Sequence, residues 1–404
     1  MLKGSLVSLV AIISNAQAAT FGVGNGDAVI LNDAAAVYYN PAGLTSITNP
    51  QLIVGDMIAI TNIEFEGRTT NFASNETQVG SASSNTLIHL PSFFYAMPLN
   101  KFITAGVGFL NPFYGIDAFT DTSIIRYSGT GALIVTYDYT PGIGIKLSDT
   151  ASIGLGFDAQ YLNSYENFMF PPVTVPGSTG DLKSLNSMNG WGYGGHAGML
   201  LHPIPKTYLG VTYHSQISAH PSGISTLQIP GVGSAESRDL KYQIMLPPCT
   251  VISIYQLLSD QLSVLGTAEY TQWSTVRDIF IQNVAIGNNE TVSFHQLFNY
   301  HDTWRFGLSG YYQIDNKWLF RGSFSFDQDP SDPKTLIANV PSMDLYILGV
   351  GAQYQLTKSL ILGFAYSHSF YVSNPINFIS AANTQIGILK EKNDCVGVRL
   401  TWNI

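Results

Sequence analysis

Residue types that could perform enzymatic chemistry are sparse in this chain and form no catalytic pattern. The 8 histidines are scattered singly, and there is no Gly-x-Ser-x-Gly elbow, no His-Glu-x-x-His pair and no phosphate-binding loop. A membrane-barrel phospholipase with Ser and His on neighbouring strands is a minor alternative, suggested by the pairs His214-Ser215 and Ser367-His368. The glycine-rich stretch 22–26 lacks the preceding strand and the full spacing of a nucleotide-binding loop, so we interpret it as flexible backbone. The sequence therefore predicts no enzyme, no catalytic residue and no cofactor.

Metal and nucleic-acid binding are equally poorly supported. Cys249 and Cys395 are the only cysteines, and their separation fits neither a disulfide framework nor a metal-ligand spacing. We interpret both as small apolar or lumenal side chains, with a bridge between them as the alternative. The formal net charge of −9 contains no basic run, so nucleic acid is an improbable partner.

The composition excludes the common protein classes one after another. Of the 404 residues, 45% are hydrophobic and only 11% are charged, whereas an ordinary soluble domain carries roughly 25% charged residues. Beyond the N-terminus there is no apolar run of roughly 18 residues, so a bundle of transmembrane helices is excluded. The 12% of aromatic residues argues against disorder. A chain that is apolar on average but never apolar for long is typical of a membrane β-barrel.

The N-terminus resembles an export signal. Lys3 precedes a short apolar stretch from Leu6 to Ile13, and Ala16-Gln17-Ala18 has the small-x-small pattern of a signal-peptidase site. We expect a signal peptide over residues 1–18, cleaved after Ala18. An N-terminal anchor is the alternative, although the apolar stretch is too short to span a bilayer.

From residue 51 onward, apolar and polar residues alternate with a period of two. In the last strand Val396, Val398, Leu400 and Trp402 fall on one face, as expected where one face meets lipid and the other a polar lumen. Short links alternate with long polar stretches, which is typical of an outer-membrane barrel with short periplasmic turns and long external loops. We predict an all-β fold, a transmembrane antiparallel β-barrel over residues 51–404 with both termini periplasmic. About 14 strands are expected, at 51–66, 86–98, 102–113, 131–146, 150–165, 190–203, 206–218, 242–257, 261–276, 298–314, 316–328, 344–357, 359–372 and 392–404.

The preceding segment, residues 19–50, differs from the barrel in composition. It is rich in Gly and Ala, and Asp27 to Tyr39 has the character of a short helix or turn that ends at Asn40-Pro41. The segment is too small to fold alone. We expect it to lie inside the barrel lumen as a small N-terminal hatch, or plug.

Several motifs carry a family resemblance. The stretch from Asp33 to Leu44, with Asn-Pro-Ala-Gly-Leu at its end, resembles the N-terminal hatch of the FadL family of outer-membrane transport proteins. Further stretches resemble landmarks of that family in the same order, namely Pro91 to Leu99, Gly106 to Gly115, Arg126-Tyr127, Leu209 to Ser215, Tyr270 to Ser274 and Trp304 to Gly307. The resemblance covers essentially the whole mature chain.

The resemblance implies a monomeric barrel of 14 strands, closed by a hatch, that takes up long-chain fatty acids or other hydrophobic molecules across the bacterial outer membrane. In that family the ligand is caught in an external groove, passes to a pocket in the barrel and leaves laterally where the third strand is kinked. The expected partners are outer-membrane lipid and a fatty-acid, detergent-like or aromatic ligand. Transport is expected to be passive.

The resemblance also places candidate site residues. Asn40, Pro41, Ala42 and Gly43 are expected to act in hatch gating, although the same residues would suit a turn that only packs the plug. The lateral opening is expected at Asn111, Pro112, Phe113 and Gly115, because Pro112 cannot donate a ladder hydrogen bond. The alternative is that this stretch merely begins an external loop.

Ligand contacts are harder to predict. Arg305 and Arg321 are candidates to bind a fatty-acid carboxylate if they face inward, but either could instead form a wall salt bridge, for example to Asp158 or Glu269. Phe93, Phe109 and Phe119 could line the groove or pocket, or could belong to an interfacial aromatic girdle.

Rival functions remain open at this point. Uptake of aromatic hydrocarbons is an alternative within the transport class, because a hydrophobic tunnel recognises little beyond size and shape. A non-specific porin would need a lumen ringed with charges and no plug, and an adhesin or structural barrel is a third class.

Overall fold

The computed structural model describes residues 13–14, 27–287, 290–332, 334–336, 338, 342–379 and 383–404. The predicted signal peptide, apart from residues 13–14, and the glycine-rich stretch 22–26 lie outside the described residues.

The fold is a closed antiparallel β-barrel whose wall has 14 strands. The first wall strand pairs along its whole length with both the second and the last, so the sheet closes on itself. The strands are β1 Gln51–Asn71, β2 Glu76–Pro98, β3 Ile103–Leu110 with Phe113–Ala118, β4 Gly131–Lys146, β5 Ala151–Phe170, β6 Leu182–Ile204, β7 Thr207–His214 with Ile217–Ala219 and Ser222–Ile229, β8 Gly233–Leu246 with Cys249–Leu257, β9 Leu262–Thr271 with Asp278–Gly287, β10 Glu290–Leu297 with Thr303–Gln313, β11 Trp318–Asp327, β12 Leu345–Gln355, β13 Leu360–Tyr371 with Asn374–Ile379, and β14 Asn383–Asn403. Outside the wall, Ile13–Ser14 pairs with the second segment of β3.

The two faces of the wall differ as the alternation predicts. On β14, Val396, Val398, Leu400 and Trp402 are exposed on the outer face, whereas Thr401 is buried on the inner face. Large apolar side chains are exposed on the outside of every wall strand, an arrangement that suits lipid.

The order of the strands agrees with the prediction, but several strands are longer than predicted. The stretches 67–85, 219–241 and 277–297 were expected to be external loops, and most of their described residues lie in strands. Beyond the apolar belt both faces of a strand can be polar. The period-two signal therefore fades there, although the backbone ladder continues.

The segment before β1 contains little regular structure. Its α-helix, α1, spans only Ala36–Tyr39, and a 3₁₀ helix follows at Pro41–Ser46. The helix expected from Asp27 is shorter because Asn32 has a positive φ of 55°, and because the backbone nearby bonds to side chains instead, as Ala28 N does to Ser253 Oγ. Further 3₁₀ turns occur at Pro172–Thr174 and Trp273–Thr275. No helix among the described residues is long and apolar enough to cross a membrane.

Candidate functional site in the barrel lumen

The described part of the segment before β1, residues 27–50, is called the hatch below, and it packs against the inner face of the barrel. Every residue from Ala34 to Leu44 is buried. Val37 and Leu44 belong to one hydrophobic cluster with Ile53 of β1, Phe94 of β2 and Leu110 of β3. The hatch therefore shares a core with the wall.

Two rows of wall glycines form the seat of the hatch. Gly144, Gly154 and Gly198 are register partners on β4, β5 and β6, and they lie under the Asn40-Pro41 pair. An added Cβ would overlap the Pro41 backbone at Gly154 and Asn40 Oδ1 at Gly198. The neighbouring row, made of Gly106, Gly142 and Gly156, lies under Val37 and the His196 ring. Only glycine lets the two backbones approach this closely.

Asn40 is the most fully bonded residue of the Asn-Pro-Ala motif. Its backbone is extended, with φ −160° and ψ 98°, and its Oδ1 accepts from Ala42 N at 3.1 Å at the start of the 3₁₀ helix. Its Nδ2 donates to Ala28 O at 2.6 Å within the hatch and to Met199 O on β6 at 3.1 Å. One buried amide thus ties together two parts of the hatch and the wall. Gly43 packs against the carbonyl of Ile30, which leaves no room for a side chain.

Two ion pairs fix the hatch to the opposite side of the barrel. Asp27 accepts from Arg321 of β11 at 3.1 Å, and Asp33 accepts from Arg399 of β14 at 2.7 Å. Burial raises the pKa of the Asp27 carboxyl, and the nearby Arg321 guanidinium opposes that rise. Removing one partner of such a buried pair leaves an uncompensated charge, so each pair resists release of the hatch.

An Asp–His pair holds the hatch from the glycine side. His196 contacts Asp158 through Nδ1 at 3.0 Å and the Val37 carbonyl through Nε2 at 2.8 Å. His214 stacks on His196 with ring centroids 4.9 Å apart. These three side chains could form a metal-ligand group by distance alone. Both His196 nitrogens are already engaged in hydrogen bonds, so this arrangement does not suit a metal ion.

The third wall strand is interrupted at Asn111 and Pro112. Leu110 pairs with Asp138, and the next pair is Tyr114 with Val135. Between these two pairs β3 therefore advances by four residues while β4 advances by three. The extra residue makes a bulge, which bends a strand. Thr136 fills the break, since its Oγ1 accepts from Phe113 N at 3.1 Å and donates to Phe113 O at 3.2 Å.

Beyond the bulge, β3 no longer pairs with β2. The β2–β3 ladder ends at the pair Phe93–Phe109, and among the described residues no register pair joins β2 to the second segment of β3. Tyr114 of this segment is buried in a cluster with Met57, Leu90 and Val135. We call the stretch of wall beside β2 residues 84–92 the gap; there the described part of β3 offers β2 no register partner, and Phe113 and Tyr114 of β3 pair with Ile13–Ser14 instead. At its external end Ala118 N donates to Ser84 Oγ at 2.8 Å.

The predicted ligand residues fall into three different places. Phe93 and Phe109 lie on the outer face at the start of the gap, where Phe109 packs on Tyr139 with ring centroids 5.2 Å apart. Phe119 is buried in the large external cluster described below. Arg305 is buried on the inner face, 4.0 Å from Glu269 and 3.9 Å from Asp327.

A small cavity of about 50 Å³ connects the hatch to the bulge of β3. Its lining includes Tyr38 and Tyr39 of the hatch, Pro112 and Phe113 of β3, and Glu269 of β9. On the side of the tight turns, a larger cavity of about 800 Å³ lies below the hatch. The hatch thus separates two lumenal spaces.

The external half of the barrel is filled by a large apolar cluster, to which Ile125, Phe168, Leu227 and Ile279 belong. Arg126 closes it from above by donating to Asp181 Oδ2 at 2.8 Å and to Gln78 Oε1 at 2.9 Å. Burial by itself lowers the pKa of Arg126, but Asp181, Tyr127 and Glu76 together raise it. Burial also raises the pKa of the Tyr127 phenol to about 12, with Arg126 opposing. Arg126 therefore stays charged and Tyr127 stays protonated over the ordinary pH range.

Comparison with known proteins decides the family. A profile of the family described as "Outer membrane protein transport protein (OMPP1/FadL/TodX)" matches residues 11–403.

The chain belongs to this family.

Members of the OMPP1/FadL/TodX family resemble the chain along nearly its whole length. Outer membrane protein P1 of Haemophilus influenzae is 24% identical over 395 residues, which covers 87% of this chain and 84% of that protein. The long-chain fatty acid transport protein of Salmonella typhi is 25% identical over 407 residues and 91% of each chain. Among solved structures, a Pseudomonas aeruginosa FadL homologue aligns with a TM-score of 0.84 at 18% identity over 98% of this chain and 99% of that one. The Pseudomonas putida toluene transporter TodX aligns with a TM-score of 0.75 at 15% identity over 99% and 100%.

Membership of the OMPP1/FadL/TodX family makes this an outer-membrane protein of hydrophobic-compound transport. The relatives are transporters and channels rather than enzymes. The family resemblance predicted from the motifs is confirmed.

Sequence reasoning missed the glycine seat. Gly154 and Gly198 belong to none of the motifs singled out from the sequence. A signal was nevertheless present, because glycine recurs at inward positions of β3, β4, β5 and β6, where a barrel wall usually carries side chains.

Proposed function

We propose that the chain carries long-chain fatty acids or similar hydrophobic molecules passively from outside the cell into the outer membrane. The ligand is captured at the external apolar cluster, the hatch rearranges, and the ligand leaves laterally through the gap beside β3.

The observation that carries this proposal is the gap between β2 and the second segment of β3. A barrel wall normally pairs every backbone group, because unpaired groups in lipid cost several kcal/mol each. Here the ladder stops at Phe93–Phe109, and the lumenal cavity lined by Pro112 and Phe113 lies on the inner side of the bulge.

Lateral exit is also the cheaper route for apolar cargo. Passage into an aqueous periplasm would cost about 0.8 kcal/mol for every CH₂ returned to water. A side exit keeps the chain of the ligand in apolar surroundings from the external cluster to the lipid. Phe93 and Phe109 extend this apolar surface on the lipid side.

The hatch supplies the moving part. Asn40 makes hydrogen bonds that a rearranging backbone or a bound ligand can exchange, and the cavity begins at Tyr38 and Tyr39 directly beside it. A non-specific porin is disfavoured because residues 34–44 are buried against the inner face of the wall and share a hydrophobic cluster with β1, β2 and β3.

The names of the relatives cover two cargo classes, long-chain fatty acids and toluene. Both are hydrophobic, and aromatic hydrocarbons therefore remain the second candidate cargo. One observation favours an uncharged cargo: the small cavity has no lysine or arginine among its described lining residues.

A cross-link tests the lateral route. In a background with Cys249→Ser and Cys395→Ser, the pair Ser84→Cys and Ala118→Cys ties the two edges of the gap where they already touch. Oxidation should lower uptake of labelled oleate and toluene at least tenfold in cells that depend on this protein, and dithiothreitol should restore it.

The matched control ties two strands that are already paired. In a background with Cys249→Ser alone, Ser367→Cys faces the native Cys395 across the continuous β13–β14 ladder, so oxidation of this pair should leave uptake unchanged. Undiminished uptake through the oxidised Ser84–Ala118 pair would contradict lateral exit, and absence of uptake by the unmodified protein would contradict transport itself.

A further inference from the structure

The cavity between the hatch and the bulge of β3 is lined by acids. Asp27, Asp158 and Glu269 contribute three carboxyl groups, and His214 is the one basic side chain in the described lining. The rest of the lining is mostly apolar or aromatic, for example Tyr38, Phe113 and Leu246. The described lining therefore offers a cargo carboxyl oxygens but no lysine or arginine.

The cations nearest these acids are already engaged. Arg321 binds Asp27 at 3.1 Å, and Arg305 lies 4.0 Å from Glu269 and 3.9 Å from Asp327. His196 is held by Asp158 and by the Val37 carbonyl. An incoming carboxylate would have to displace a protein carboxylate to obtain a charged partner.

The same imbalance holds for the whole interior. The buried residues of the described chain include seven carboxyl groups, at Asp27, Asp117, Asp138, Asp158, Glu166, Glu269 and Glu391. Against them stand three guanidinium groups, at Arg126, Arg305 and Arg321, and the His196 ring. The residues outside the described part add Lys3 as their only charged side chain, and it lies in the predicted signal peptide.

Such a site distinguishes cargo by charge. A carboxylate leaving water for this cavity loses its hydration and finds Arg321, Arg305 and His196 already paired with protein carboxyl groups, so its charge is left uncompensated. An uncharged molecule avoids both costs. If it carries an O–H or N–H donor, that donor can bond to a carboxyl oxygen of the lining.

We infer that the inner cavity selects uncharged hydrophobic molecules that carry an O–H or N–H donor, such as alcohols and phenols, over carboxylates of the same size. This inference rests on the proposed function: it keeps the same lateral route, but among hydrophobic cargo it ranks uncharged molecules above fatty-acid carboxylates.

Matched ligand pairs test the selection. Binding of 1-octanol against octanoate, and of p-cresol against p-toluate, is measured by calorimetry on the purified full barrel in detergent at pH 7.5. The uncharged member of each pair should bind at least tenfold more tightly. Equal or tighter binding of octanoate and p-toluate would overturn the inference while leaving transport standing. Binding of none of the four would overturn the proposed function and the inference with it.

A pair of variants localises the effect. Glu269→Gln removes one acid from the cavity and relieves Arg305 of one carboxylate partner, so octanoate should bind about tenfold more tightly while octanol changes less than threefold. Glu391→Gln is the control, because Glu391 is similarly buried but lies outside the cavity lining. An octanol-to-octanoate ratio that stays at its original value in Glu269→Gln, or that shifts equally in both variants, would overturn the assignment to this cavity.

Discussion

The glycine seat makes a sharp prediction about hatch docking. In Gly198→Ala the new methyl group would overlap Asn40 Oδ1, so the Asn-Pro-Ala turn has to lift from the wall. Asn40 then loses its hydrogen bonds to Ala28 O and to Met199 O, which lie outside the turn, and keeps the bond from Ala42 N, which lies within it. A buried hydrogen bond contributes about 0.5–1.5 kcal/mol net, so docking should weaken by about 2 kcal/mol. Since every 1.4 kcal/mol is tenfold, the undocked fraction should rise roughly thirtyfold.

Conductance of single barrels in planar bilayers reports this change directly. On the proposed function a docked hatch obstructs the lumen, so openings should become more frequent in Gly198→Ala than in the unmodified protein. Gly310→Ala is the matched control, because Gly310 also lies within a wall strand but an added Cβ there meets no atom within 4 Å. It should leave the conductance trace unchanged.

A double-mutant cycle separates this clash from general damage to the barrel. Asn40→Ala removes the oxygen that the new methyl group would strike, so Gly198→Ala should add little in that background. The reasoning is refuted if Gly198→Ala opens no more often than Gly310→Ala. It is also refuted if the full effect persists when Asn40 is alanine.

Two further predictions concern the external network and the bulge. Arg126→Ala removes the donors that bind Asp181 and Gln78. Because hydrogen bonds to charged groups contribute about 1.5–3 kcal/mol each, added protease should cleave the loop 119–130 at least tenfold faster. An unchanged cleavage rate would show that the apolar cluster alone holds the loop. Thr136→Val keeps the shape of the side chain but removes the hydroxyl that bonds to the Phe113 backbone at the β3 break. The free energy of unfolding, measured in urea, should fall by about 1–2 kcal/mol. An unchanged unfolding midpoint would mean that the break needs no internal hydrogen-bond partner.

Much of the wall could be predicted from sequence because its physics is local. Alternation along a strand such as β14 follows directly from one face meeting lipid and the other the lumen, and it survives without knowledge of any partner strand. The strand ends were less predictable. Residues 67–71 continue β1 beyond the apolar belt, where hydrogen bonding to β14 and β2 rather than hydrophobicity keeps the chain extended.

The site depended on contacts that no local pattern contains. Asn40 and Pro41 were recognisable as a motif, but their seat is formed by glycines on β4, β5 and β6, each more than a hundred residues away along the chain. The sequence left Arg321 with several possible roles, and its partner Asp27 is 294 positions distant. Such pairings are fixed by closure of the barrel.

The hatch continues directly into β1, and β1 forms the closing seam with β14. At that seam Gln51 donates to Asn403, 352 positions away, while Ala34 of the hatch donates to the same glutamine. Pairing two strands that are so distant along the chain has a large cost in loop-closure entropy, so we expect this pairing to form late in folding. The part of the chain that is synthesised first is thus enclosed by the part synthesised last. During assembly the hatch therefore has to reach the glycines of β4–β6 before the seam joins, or else enter through an end of the finished barrel.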